Sequence, residues 1–284
     1  MVAAPGTMPP FVSAAEVLAA RDEVVLADVR WSLDGTEGRT QHLAATIPGA
    51  VFVDLDHDLA APPSPDGGRH PLPDPEAFAA ALGRLGLGDD DRIVAFDQGP
   101  GTIAARLVWM LRAIGRPAAV LDGGLAAWPG PLAPGGARRP TLTRTVVPWP
   151  PERFADADLV ARLLAADAAV LLDAREPARY RGEHEPVDPR PGHVPGAVNL
   201  PTSALVHDGR LTSPDELRRR VAEAGVTGAE EVVASCGSGV TACFDVLVLE
   251  QLGIDRVRLF PGSWSAWSAD PRRPAATGRE PRPT

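Results

Sequence analysis

The residues best suited to chemistry in this 284-residue chain lie in the loop Cys236-Gly237-Ser238-Gly239-Val240-Thr241. Small or apolar residues at 232–235 predict a buried strand before it, and a helical pattern follows it at Ala242, Val246, Leu249 and Leu252. The two glycines let successive backbone N–H groups turn inward, and the helix start adds unpaired N–H groups. Because such a cradle binds anions, it favours the thiolate of Cys236.

We therefore expect Cys236 to be a nucleophile, with Gly237, Gly239, Val240 and Thr241 lining the bound substrate. The alternative is a buried structural cysteine followed by a glycine turn, with Thr241 acting only as a helix cap.

Two reaction classes use a cysteine in such a cradle. Phosphate-ester hydrolysis needs the pattern Cys-x5-Arg, because a guanidinium clamps the phosphoryl oxygens. Ala242 occupies that sixth position after Cys236, so this reading is disfavoured. Sulfur transfer needs only the thiolate, which takes sulfur from a donor as a persulfide and passes it to an acceptor such as cyanide or a thiol. We expect no metal or organic cofactor.

Composition excludes several classes of partner. With 28 basic against 37 acidic residues the net charge is −9, and the absence of a Lys- or Arg-rich run argues against nucleic acid. No apolar run approaches the ~20 residues that a membrane span needs. The N-terminal residues lack a basic region followed by an apolar core, and the cysteines Cys236 and Cys243 do not form a CxxC pair. These features predict a cytoplasmic protein without membrane partners.

The chain repeats itself, which bears on its domain organisation. Four segments recur in the same order: VVLADVRW and AVLLDARE, TIPGAVFVD and HVPGAVNLP, DRIVAFDQGPGTIAARLVWML and EEVVASCGSGVTACFDVLVLE, and LDGGLAAW and FPGSWSAW. The spacing agrees as well, since Asp97 precedes Trp128 by 31 residues and Cys236 precedes Trp267 by 31. Asp97 therefore occupies the position in the first half that Cys236 occupies in the second.

Each half alternates predicted strands and helices. The first half has predicted helices at 13–20, 75–85 and 102–114 and strands at 24–29, 50–53, 92–96 and 118–121. The second has helices at 156–166, 214–224 and 241–252 and strands at 169–173, 197–200, 231–235 and 256–260. This alternation predicts an α/β fold with a mostly parallel sheet and helices on both faces in each half. A Pro-, Gly- and Arg-rich linker at 131–150 separates domain 1–130 from domain 151–284.

The repeated Asp-x-Arg strand ends, the two Pro-Gly-Ala turns, CGSGVTA and FPGSWSAW together resemble the two-domain rhodanese-type sulfurtransferases. The loop CGSGVT is similar to the 3-mercaptopyruvate branch, since the thiosulfate branch usually has two cationic residues after the cysteine. The resemblance implies two tandem rhodanese-like domains, with catalysis in the second and an inactive copy in the first. Thr46 and Ala266 depart from the family, which often has His and Glu there.

The resemblance also implies roles for residues outside the loop. Ser238 is expected to hydrogen-bond the donor carbonyl or the enolate left behind, and a turn-forming role is its alternative. Arg181 and Arg190 are expected to bind the carboxylate and carbonyl of the donor. In the mercaptopyruvate branch, an Asp and a His from the first domain approach the loop serine and can relay a proton. Asp56 and His70 occur in the matching order, with His57 and Asp58 as nearby competitors.

The implied activity is sulfur transfer from 3-mercaptopyruvate to cyanide, a small thiol or a thioredoxin-like protein. The alternatives are thiosulfate as the donor, or a non-enzymatic sulfur-carrier module. Asp97 is expected either to fill the anion cradle of the first half or to be an ordinary loop residue.

Overall fold

The computed structural model describes residues 8–32 and 37–279, which form two compact units. In the described chain, unit 1 comprises 8–32, 37–61, 73–150 and 208–211, and unit 2 comprises 62–72, 151–207 and 212–279. Residues 62–72 thus belong to the unit that holds Cys236, although they lie far before it in sequence. The predicted linear boundary at 131–150 stays a prediction.

The described part of unit 1 contains a parallel sheet of five strands in the order β1-β5-β4-β2-β3. Its strands are β1 (Phe11–Val12), β2 (Val24–Asp28), β3 (Val51–Phe52), β4 (Arg92–Phe96) and β5 (Ala118–Leu121). Its helices are α1 (Ala14–Ala19), α2 (Glu37–Ala44), α3 (Leu55–Asp58), α4 (Pro75–Arg84) and α5 (Ala104–Ala113).

Unit 2 contains a parallel sheet of four strands in the order β11-β10-β6-β7. Its strands are β6 (Val170–Asp173), β7 (Val198–Asn199), β10 (Val232–Ser235) and β11 (Val257–Leu259). The short strands β8 (Val206–His207) and β9 (Arg210–Leu211) lie between β7 and β10 in the chain. The helices of unit 2 are α6 (Ala157–Ala165), α7 (Pro177–Tyr180), α8 (Pro214–Glu223), α9 (Ala242–Gln251) and α10 (Ser263–Ala269).

Local sequence explains several element boundaries. Ser13 and Glu16 form a reciprocal capping box at the start of α1. Asp156 and Ser213 accept backbone N–H groups at the starts of α6 and α8, and Pro214 occupies the first turn of α8. Helix α9 is buried along almost its whole length, which accounts for its nearly continuous run of apolar residues.

The Asp-x-Arg motifs repeat the same buried ion pair at the carboxyl ends of β2 and β6. Arg30 Nη2 lies 2.7 Å from Asp28 Oδ2, and Arg175 Nη2 lies 2.7 Å from Asp173 Oδ2. Each guanidinium also donates to a backbone carbonyl, that of Ala45 or Gly192. Both pairs therefore brace the loops that follow these strands.

The predicted α/β fold with parallel sheets is confirmed, and α5 and α9 lie within their predicted ranges. The sequence patterns missed elements such as β1, α7 and α10, which are only two to seven residues long. Among the described residues, no helix is both long and apolar enough to cross a membrane.

Candidate active site

Cys236 follows the carboxyl end of β10, where α/β proteins place their binding sites. The residue is only 3% exposed. The backbone N–H of Gly239 donates to Cys236 Sγ at 3.2 Å, and the N–H of Cys236 donates to Ser263 Oγ at 3.0 Å. The loop therefore directs a hydrogen-bond donor at the sulfur, as an anion cradle requires.

The start of α10 holds this loop in place. The backbone N–H of Trp264 donates to the Cys236 carbonyl at 3.1 Å, and that of Ser265 donates to the Gly237 carbonyl at 2.8 Å. Ser263 itself has a φ of 50°, in the left-handed region that few non-glycine residues adopt. Its hydroxyl donates to the Phe260 carbonyl at 2.8 Å while accepting from Cys236, which compensates for this backbone conformation. Sequence reasoning did not identify Ser263.

Gly239 is required by the loop geometry. It has a φ of 74°, and a Cβ atom there would collide with the Pro261 carbonyl oxygen. Val240 and Thr241 continue into α9, where Thr241 makes no side-chain capping bond. Cys243 is fully buried in α9, and its Sγ donates to the Gly239 carbonyl at 3.3 Å.

Ser238 and His70 meet within unit 2, although 168 residues separate them in sequence. The distance from His70 Nδ1 to Ser238 Oγ is 2.8 Å, and Ser238 is 8% exposed. Asp56 belongs to unit 1, where it is exposed and accepts a hydrogen bond from Trp31 Nε1 at 2.8 Å. The participation of Asp56 in the relay stays a prediction.

Arg181 and Arg190 have partners other than the loop. Arg181 pairs with Glu183, at 2.6 Å between Nε and Oε1. The guanidinium of Arg190 donates to four backbone carbonyls, those of Trp267, Ser268, Asp270 and Arg273. Arg190 thereby ties its loop to α10, and its expected contact with a donor molecule has no support in this geometry.

Two other arginines, Arg69 and Arg179, lie against the loop instead. A Cβ atom at Gly237 would lie 3.1 Å from Arg69 Nη2 and 3.4 Å from Arg179 Nη1. Sequence reasoning missed both. Arg179 lies two residues before Arg181, and Arg69 directly precedes His70. Their closeness in sequence to these two predicted site residues is the signal that could have identified them.

Two buried carboxylates hold these guanidinium groups. Glu185 and Asp188 both pair with Arg179 Nη2, at 2.7 and 3.2 Å, and Asp188 also pairs with Arg69. Burial opposes ionisation of Glu185, but hydrogen bonds from Arg179 and backbone N–H groups outweigh it and lower its pKa. For Asp188 burial is the larger effect and raises the pKa, although Arg69 and Arg179 oppose it.

In unit 1, Asp97 stands at the position corresponding to Cys236, after β4. Its two carboxylate oxygens accept four backbone N–H groups at 2.8 to 3.2 Å, those of Gly99, Gly101, Ile103 and Ala104. Burial raises the pKa of Asp97, while these four donors lower it to a smaller extent. Because all four neighbours are donors, the first cradle accommodates a negative charge supplied by the chain itself.

The sequence matches the family described as rhodanese-like domain twice, over residues 13–130 and 156–270. The chain belongs to the rhodanese-like family. In this family it is a sulfurtransferase with two such domains.

Relatives of this rhodanese-like chain carry two kinds of name. A protein from Pseudomonas aeruginosa named "Probable 3-mercaptopyruvate sulfurtransferase" is 42% identical over 93% of this chain and 97% of its own length. A protein from Mycobacterium tuberculosis named "Putative thiosulfate sulfurtransferase SseB" is 38% identical over 94% of this chain and 96% of its own.

A solved structure supports the same fold. The crystal structure of SseA from Escherichia coli, whose title names 3-mercaptopyruvate sulfotransferases, is similar to this chain with a TM-score of 0.77 and 34% sequence identity. The match covers 91% of this rhodanese-like chain and all of that one.

Proposed function

We propose that this sulfurtransferase uses 3-mercaptopyruvate as its sulfur donor and Cys236 as the nucleophile. The Ser238–His70 contact of 2.8 Å is the observation that carries the donor assignment. Loss of sulfur from mercaptopyruvate leaves an enolate, which needs a hydrogen-bond donor and then a proton at carbon. Thiosulfate leaves sulfite, which needs no such proton.

In the proposed step, the Cys236 thiolate attacks the donor's sulfur and forms an S–S bond. The C–S bond breaks, and its electron pair passes into the pyruvate enolate. The proton of the donor thiol leaves through Ser238 and His70 and returns to the enolate carbon, so the products are pyruvate and an anionic persulfide. The Gly239 N–H, already 3.2 Å from Sγ, supports the negative charge near this sulfur.

Arg179 is proposed to contribute to binding of the donor's carboxylate, while the binding roles expected of Arg181 and Arg190 stay predictions. Arg179 contacts the space beside Gly237 and keeps its orientation through Glu185 and Asp188. A planar guanidinium suits a carboxylate because two parallel N–H groups match its two oxygens.

Thiosulfate remains the second candidate donor for a specific reason. The sequence showed no cation directly after Cys236, but two guanidinium groups border Gly237 in the structure. A sulfonate group would also be attracted to that charge. The neutrality of Gly237 and Ser238 therefore does not by itself exclude thiosulfate.

For the second half-reaction we propose cyanide, a small thiol or a thioredoxin-like protein as the acceptor that attacks the outer sulfur of the persulfide. We also propose a cytoplasmic location, because Cys236 and Cys243 do not form a disulfide. A non-enzymatic carrier role is disfavoured because the nucleophile, the cradle and the Ser238–His70 pair lie together in unit 2.

A steady-state comparison of the two donors with cyanide as acceptor tests the assignment. Pyruvate release and thiocyanate formation are measured, and we expect kcat/KM to favour mercaptopyruvate by at least about tenfold. Faster turnover of thiosulfate would overturn the donor assignment, and the absence of turnover with either donor would favour a carrier role.

A further inference from the structure

We propose that Arg69 is a specificity-determining residue that binds the carboxylate of the donor, an inference that rests on the proposed function. Arg69 belongs to the segment 62–72 of unit 2 and directly precedes His70. Its Nη2 would lie 3.1 Å from a Cβ atom at Gly237, the residue next to Cys236. The guanidinium therefore borders the space beside the nucleophile.

Asp188 fixes the orientation of Arg69. The Asp188 side chain is 1% exposed, and its Oδ1 pairs with Arg69 Nη1 while its Oδ2 lies 3.2 Å from Arg179 Nη2. One buried carboxylate thus holds two guanidinium groups on the same side of the loop. Since the paired groups are fixed before a donor binds, little ordering is needed on binding.

In the part of the chain that the structure describes, Arg69 has Nε and Nη2 left to donate to a ligand, whereas Arg179 has only Nη1 left. Among the described residues, Asp188 is the hydrogen-bond partner of Arg69, and it engages only Nη1. Arg179 is shared between Glu185 and Asp188 through Nε and Nη2. The Nη2 group of Arg69 therefore remains to receive an external carboxylate, and the side chain is 29% exposed.

The absence of a side chain at Gly237 lets the two guanidinium groups approach the loop beside Cys236. A Cβ atom at Gly237 would lie 3.1 Å from Arg69 Nη2 and 3.4 Å from Arg179 Nη1, so both guanidinium groups pack closely against this residue. A carboxylate bound to Arg69 Nη2 would lie close to Cys236, with Ser238 and His70 near the neighbouring carbonyl. Arg69 and His70 would then recognise adjacent groups of one small keto acid from consecutive positions in the chain.

The test compares two donors that differ only in the carboxylate, 3-mercaptopyruvate and mercaptoacetone. Arg69→Met removes the charge but keeps an unbranched side chain, and we expect kcat/KM for mercaptopyruvate to fall by roughly 10- to 150-fold. The value for mercaptoacetone should change by less than about threefold, because it has no carboxylate to bind. Arg218→Met is the matched control, since its exposed guanidinium on α8 pairs with Asp215, and it should change neither value.

A binding measurement tests the role of Arg69 separately from the proposal that 3-mercaptopyruvate is the sulfur donor. In a Cys236→Ser background, which cannot form a persulfide, calorimetry gives the Kd of 3-mercaptopyruvate with and without the Arg69→Met substitution. We expect Arg69→Met to weaken binding about tenfold or more. Equal losses with both donors, or an unchanged Kd and kcat/KM, would overturn the role of Arg69. Failure of the parent enzyme to release pyruvate would instead overturn the proposed function.

Discussion

Replacing Ser238 with Ala should separate the two donors. The change removes the Oγ atom that lies 2.8 Å from His70 Nδ1, at a residue only 8% exposed. A hydrogen bond to a group that develops charge contributes about 1.5–3 kcal/mol, which corresponds to roughly 10- to 150-fold in kcat/KM. We expect a loss of this size with mercaptopyruvate, whose enolate carries that charge, and less than about threefold with thiosulfate.

The assay is single-turnover pyruvate release together with persulfide formation from each donor. His70→Ala should give a similar loss, and the double variant should lose little more, because the two side chains act as one unit. Ser235→Ala is the matched control: its hydroxyl is buried nearby but donates to the Leu172 carbonyl at 2.9 Å. Equal losses with both donors, or a loss below about threefold with mercaptopyruvate, would refute the reasoning.

Three further predictions concern residues outside the reacting groups. Asp97→Asn places an amide NH₂ against backbone N–H donors, so the free energy of unfolding should fall by about 2–4 kcal/mol while turnover stays within a few-fold of the parent. Arg190→Met removes four bonds to carbonyls and should cost about 2–4 kcal/mol of unfolding free energy without changing donor preference. Asp245, whose pKa burial raises well above its usual value, binds a proton in the folded state that the unfolded chain releases above pH about 4. Stability should therefore decrease as pH rises, by at most about 1.4 kcal/mol per pH unit from this group, and Asp245→Asn should remove that decrease.

Denaturant unfolding and steady-state kinetics check all three. A loss of turnover of about 100-fold in Asp97→Asn without unfolding would mean that unit 1 takes part in the chemistry. A selective loss with mercaptopyruvate in a fully stable Arg190→Met variant would restore Arg190 as a donor ligand. For Asp245, the stability advantage of Asp245→Asn over the parent should grow as the pH rises above about 4, and a constant difference would contradict the stated ionisation.

The loop around Cys236 was predictable because its signals are local. An apolar strand end, two glycines and a helical pattern occur within one short stretch, and the internal repeat fixes the corresponding Asp97. The parallel sheets were predictable for the same reason, since strands and helices alternate along the sequence. Very short elements such as β1 contain too few residues for a repeating pattern of apolar and polar residues to be recognised.

The side chains that surround the loop were harder to assign because their positions depend on irregular segments. Arg179, Arg181 and Arg190 lie close in sequence, yet a single helical turn directs Arg179 to Gly237 while Arg190 binds the carbonyls near α10. Residue type alone does not distinguish these outcomes. Arg69 lies in a segment that joins unit 2 from a distant part of the chain, and no local pattern indicates that.

The most direct test of the central claim is the mass of the protein after incubation with 3-mercaptopyruvate and no acceptor. A persulfide adds one sulfur, about 32 mass units, and we predict that peptide mapping assigns it to Cys236. Cys236→Ser should abolish the adduct, while Cys243→Ser should retain most of it because Cys243 is fully buried in α9. An adduct on Cys243, or the absence of an adduct from an enzyme that still releases pyruvate, would contradict sulfur transfer through Cys236.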